Sequence, residues 1–144
     1  MENMEIIKKK DKVLAIIVRQ NYKCDGVEFM TPNEYSQQVA YMHHPKGKTI
    51  DAHIHNLVHR NVVMTQEVLF IKKGKMRVDF YDDYKDYLES RVLDAGDVIL
   101  LVSGGHGFKT LEELEMIEVK QGPYSGDMDK VRFSGISDSD VRGI

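Results

Sequence analysis

Apolar residues in this chain fall into short runs of strand length, and spacing that would line one face of a long helix is nearly absent. The runs are VLAIIV (13–18), GVEFM (26–30), QVAYM (38–42) and TIDAHIH (49–55), then EVLFI (67–71) and KMRVDFY (75–81). RVLD (91–94), DVILLV (97–102), GFKTL (107–111) and LEMIEVK (114–120) complete the set. Turn-forming residues separate them: Pro45-Lys46-Gly47, Lys73-Gly74-Lys75, Asp94-Ala95-Gly96-Asp97 and Ser103-Gly104-Gly105. Ten short strands punctuated this way predict an all-β sandwich or barrel. One helical turn is expected at Pro32–Ser36, with Thr31 as N-cap and Pro32 in the first helical position.

Between the sixth and seventh runs, the polar stretch 82–89 (DDYKDYLE) reads as a long hairpin tip. Lys8–Lys12 reads as the start of a solvated strand. After Pro123 the chain turns polar, and 123–144 is expected to drape over the surface or to be only partly ordered. The 144 residues suffice for a single domain, 1–144, with no room for a second catalytic unit. Apolar residues at 42% and charged residues at 30% are ordinary for a soluble globular chain. A net charge of −3 offers no electrostatic footprint for nucleic acid. The single cysteine, Cys24, excludes an internal disulfide framework and fits a reducing compartment. The run 13–18 is too short for a signal peptide or a membrane span, so a cytoplasmic protein is expected.

The six histidines change the picture, because five of them lie within the span from His43 to His59. His53 and His55 stand two apart in an expected strand, which puts both imidazoles on one face within reach of a shared ion. Glu67 shares a face with Leu69 and Ile71, so its carboxylate would point into an apolar interior. A buried carboxylate without a partner is costly, and a cation held by neutral imidazoles removes that cost. A two-sided strand with Glu67 in solvent and the histidines as core residues is the competing reading.

The spacing around these residues is Gly47, five residues, His53-Ile54-His55; Glu67, six residues, Gly74; and Gly96-Asp97 opening a strand that ends in Ser103-Gly104-Gly105-His106. This resembles the two motifs of the cupin superfamily, G-x5-H-x-H-x3-4-E-x6-G and G-x5-P-x-G-x2-H-x3-N, over about 47–110. The resemblance implies a single-domain jelly-roll barrel and one divalent transition metal (Fe, Mn, Ni, Co or Zn). It implies His53, His55, Glu67 and His106 as the metal ligands. Three departures stand out. Eleven residues, NLVHRNVVMTQ, separate His55 from Glu67, enough for a lid or a substrate wall. Val102 stands where the motif has proline, and Thr110 stands near its asparagine slot. His106 comes one residue early, a slip that a bulge at Gly104-Gly105 can absorb.

In the added segment, His59 reads either as an acid/base and substrate contact or as an exposed loop residue, and Arg60 as an anion ligand or a solvated side chain. His43 and His44 read as structural or surface residues. Phe108 and Tyr41 are candidate substrate contacts. Lys109, Met116, Glu118 and Gln121 are expected on strands bordering the cavity, with Glu118 and His59 as candidate bases. The implied shell serves several chemistries in the family, so it does not select a reaction. The first expectation is an isomerase or epimerase acting on a small oxygen-rich metabolite such as a sugar derivative, placed in carbohydrate metabolism. An Fe(II) dioxygenase and a non-catalytic metal- or sugar-binding module are the alternatives. A small-molecule ligand, no nucleic acid and no membrane are expected as partners. The family resemblance further implies a homodimer, with Val13–Val18 as the edge strand that would pair.

Overall fold

A two-residue turn at Lys10-Asp11, with Lys10 at φ 54°, folds the N-terminus into a hairpin of β1 (Met4–Lys9) and β2 (Lys12–Val18). The computed structural model describes residues 3–144 and is all-β, with ten strands and two short 3-10 turns. The other strands are β3 (Gly26–Phe29), β4 (Ala40–His43), β5 (Glu67–Lys73), β6 (Lys75–Tyr81) and β7 (Tyr87–Asp94). β8 (Val98–Leu101), β9 (Gly105–Thr110) and β10 (Glu115–Lys120) follow. Nine of the ten expected runs contain a strand. β1 was not among them, because its four-residue EIIK pattern merges into the lysine run.

The strands form a five-stranded sheet in the order β1-β2-β8-β5-β10, a three-stranded sheet β7-β6-β9, and a β3-β4 ribbon. No sheet closes on itself, so the architecture is an open sandwich. Period-2 alternation decides which residues fill it. Register places Ala15 opposite Leu101 and Ile17 opposite Ile99, and Ile99 opposite Leu69, so these side chains share the inner face. They pack on Met76, Val78, Phe80 and Leu93 of the smaller sheet to make the main core. On the outer face of the larger sheet, Ile16, Leu100 and Val102 take Met30, Tyr35 and Val39 from the segment that joins β3 to β4.

Four expectations are corrected. TIDAHIH (49–55) is not a strand: every residue from 45 to 65 is exposed. Among the described residues, 49–65 make no backbone–backbone hydrogen bond. A strand exists only by pairing, and this segment has no paired strand among the described residues. Val13–Val18 is not an edge, since β2 lies between β1 and β8. Pro32–Ser36 forms a turn closed by Tyr35 N–H donating to the Pro32 carbonyl (3.2 Å) rather than a helix. Thr31 is buried and hydrogen-bonds Gln38 and the Val39 N–H instead of capping. The barrel reading, finally, meets a sandwich with free edges at β9 and β10.

The two sides of the sandwich differ. At the β1/β7 side, Glu5 accepts from Arg19 and from Arg91 (3.0 Å), tying one sheet to the other. At the β9/β10 side both strands lack an outer neighbour, and a cleft opens there. The C-terminal tail covers the outer face of the smaller sheet: the Ile136 N–H donates to Tyr81 Oη (2.8 Å), and the Ser90 N–H to the Arg142 carbonyl (2.7 Å). The tail is therefore draped on the surface.

Candidate functional site

Glu67 opens β5 opposite Leu101, on the inner face, as the alternation of Glu67, Leu69 and Ile71 predicts. His106 lies on β9 opposite Phe80, and Phe108 opposite Val78, so both also face inward. Just before this strand begins, Gly104 adopts φ 72°. A Cβ at Gly104 would sit 2.6 Å from the Tyr81 carbonyl oxygen, so only glycine fits this approach. Glu67 and His106 meet from opposite sheets, with His106 Nε2 2.7 Å from Glu67 Oε1. Phe108 stacks on the imidazole at 5.3 Å between ring centroids.

β10 supplies the third side. Glu118 pairs with Leu69 and Lys120 with Glu67, which puts both on the inner face at the free edge. The His106 imidazole holds the Glu67 carboxyl below its usual range, more than offsetting burial. Glu118, beside the Glu67 carboxylate and partly desolvated, is pushed the other way. These residues line a cleft of about 1010 Å³ that runs from the β10 edge to the tail.

Sequence reasoning missed part of that lining. Thr65 donates to the Asp129 carboxylate across the cleft, and Lys130, Arg132 and Phe133 border it. A polar tail gives no periodic signal, so its docking was not legible. Lys120 was missed as well, although its place two residues after Glu118 on a strand was enough to find it.

The remaining candidates fall away from the cleft. His53 and His55 lie in the exposed segment, ring centroids 5.3 Å apart, and do not line it. His53 Nδ1 is 2.9 Å from the Asp51 carbonyl oxygen. Among the described residues no three His, Cys, Asp or Glu side chains gather as a metal cage would gather them. The expected four-ligand set therefore stands as two separate pairs. His59 and Arg60 are exposed in the same segment. Tyr41 is on β4, edge-on to Tyr22 at 5.2 Å, and is not a cleft wall. Lys109 faces outward opposite Arg77 and pairs with Asp138, while Gln121 takes a hydrogen bond from Gln37 (3.1 Å). His43 stands exposed, 3.9 Å from Asp25.

No described helix is long and apolar enough to cross a membrane. Comparison with known proteins finds no matching family model, no matching curated protein and no matching solved structure.

Proposed function

We propose that this chain is a cupin-type, jelly-roll metalloprotein that binds one divalent transition metal and acts on a small, oxygen-rich metabolite such as a sugar derivative. The observation that carries the reading is the meeting of Glu67 and His106 from opposite sheets inside an open cleft. The donor chemistry fits such an ion: a carboxylate oxygen and an imidazole nitrogen are in contact, and two further imidazoles stand side by side at His53 and His55. When bound, the ion would polarise a carbonyl or an adjacent pair of oxygens on the ligand.

The chain's own residues suggest the reaction class. Glu118 faces the cleft one cross-strand step from Glu67, where a carboxyl group can take a proton from a carbon beside a carbonyl and return it. Lys120 supplies positive charge for an anionic or hydroxyl-rich ligand, and Phe108 offers a flat apolar wall. That combination favours isomerisation or epimerisation over dioxygen chemistry, since a proton-moving group is already in place.

Elemental analysis of protein purified without added metal, then reconstituted with each candidate ion, tests the centre. One transition-metal ion per chain is expected, with loss on Glu67→Ala and on His106→Ala. A wild-type protein that holds no stoichiometric metal after reconstitution sinks the reading. Glu118→Gln is expected to keep the metal and to lose turnover by 100-fold or more, on the order of the general acid–base contribution.

A further inference from the structure

Residues 49–55 have the pattern of a strand and none of its bonds. Ile50, Ala52 and Ile54 alternate with Asp51, His53 and His55, yet no backbone group from 49 to 65 has a backbone partner among the described residues. The apolar side chains beside them lie in the open, with Ile54 88% and Leu57 104% exposed. Both ends of this arm are anchored at the larger sheet. β4 directly follows the 30–39 segment packed on its outer face, and buried Gln66 is fixed through Gln37 and Gln121 where β5 begins. Between these anchors the chain extends away from its own core. A structureless excursion of this length within a small domain is unusual, and one rich in exposed apolar residues needs a surface to cover it.

Among the described residues, two of the sheet edges without an outer strand, β9 and β10, flank the cleft that holds Glu67 and His106. Free edges are templates for strand addition. β9 is six residues long, against seven for 49–55, so the lengths match at about 3.3 Å per residue. His106 and Phe108 fix which side of β9 is inward. A strand laid on that edge with its odd-numbered residues inward brings His53 and His55 into the cleft beside His106. The outer face of β5 and β10 carries a second exposed apolar patch, Phe70, Ile117 and Val119, on which two copies can meet about a two-fold axis.

We propose that the working molecule is a strand-exchanged dimer in which residues 49–55 of each copy add to the β9 edge of the other. Each metal centre is then shared: His53 and His55 come from one copy, Glu67 and His106 from its partner. The sharing of ligands rests on the metal reading above; the strand exchange does not.

Two measurements separate these. First, two differently tagged chains, one His53→Ala/His55→Ala and the other Glu67→Ala/His106→Ala, are co-expressed and purified through both tags. Each variant alone is expected to hold no metal. The mixed dimer is expected to hold one ion, half the wild-type dimer's content, because one centre regains all four ligands. No recovery in the mixed dimer, with wild type loaded, overturns the shared centre. Second, in a Cys24→Ser background, chains carrying Ala52→Cys or Lys109→Cys are mixed and treated with a short thiol cross-linker. These two positions are expected on the outward side of the exchanged pair. A covalent species of twice 16.6 kDa supports exchange even if wild type binds no metal. A monomeric mass by light scattering, or linkage only within a chain carrying both cysteines, overturns it.

Discussion

Asp97 is 2% exposed and fully used: it accepts from the Gln20 N–H (2.9 Å), the Asp94 N–H (2.8 Å) and Arg19 Nη1 (2.9 Å). A buried carboxylate with three donors fixes the turn before β8 and, through Arg19, the end of the β1-β2 hairpin. Asp97→Ala leaves the Gln20 and Asp94 N–H groups without their acceptor and takes from Arg19 one of its two carboxylate partners, and is expected to cost about 3 kcal/mol in urea unfolding. Asp97→Asn keeps the shape and part of the bonding, so its loss should be smaller. A loss below about 1 kcal/mol for the alanine variant removes Asp97 from this role. At this scale the sequence was informative where a residue broke the local pattern. Glu67 stood out as a charge on an apolar face, and His106 followed a glycine pair that could re-aim it. Asp97 was legible only as a turn residue, because its partners are far away in sequence.

Whether an element forms depends on its neighbours, and here local pattern and outcome part company at 49–55. The alternation in TIDAHIH is as good as that in β5, but β5 has β8 and β10 beside it and 49–55 has no paired strand among the described residues. Pattern reports the readiness to be a strand, and pairing decides it. β2 shows the converse: the family resemblance puts 13–18 at a pairing edge, whereas a strand apolar on both faces belongs in the middle of a sheet covered on both sides. The junction of β1 with β7 carries its own test. Burial pushes the Glu5 carboxyl up, but its bonds to Arg19 and Arg91 outweigh that and hold it below its ordinary 4.5. A folded-state value below the unfolded one stabilises fully above about pH 4.5, and that contribution is lost as pH falls through the depressed value. Glu5→Gln is expected to be less stable than wild type by about 1–2 kcal/mol at neutral pH. The gap should close as unfolding is repeated below pH 4.5; a gap independent of pH would assign the loss to packing.

For the whole molecule, the tail decides how the smaller sheet survives in water. That sheet has three strands, and its outer face carries Arg77, Asp79 and Tyr81, all buried. Arg77 bonds Asp79 (2.8 Å) and reaches Asp138 of the tail (2.9 Å), Phe133 packs edge-on against Tyr81 at 5.0 Å, and Ile136 and Arg142 bond Tyr81 and Ser90. The last twenty residues thus take the place of a missing layer, and they also wall one side of the cleft. Removing 124–144 uncovers Tyr81, strands the Ser90 N–H and exposes a buried guanidinium at once. The expected result is a markedly lower urea midpoint and faster proteolysis, beginning in the smaller sheet. Phe133→Ala is the graded version, expected to cost about 1–2 kcal/mol through lost aromatic packing alone. Because the tail supplies no metal ligand in the proposed centre, Phe133→Ala should retain wild-type metal content while its stability drops. Loss of metal in a folded Phe133→Ala protein would show instead that the tail shapes the centre, and that the smaller sheet and the site are one cooperative unit.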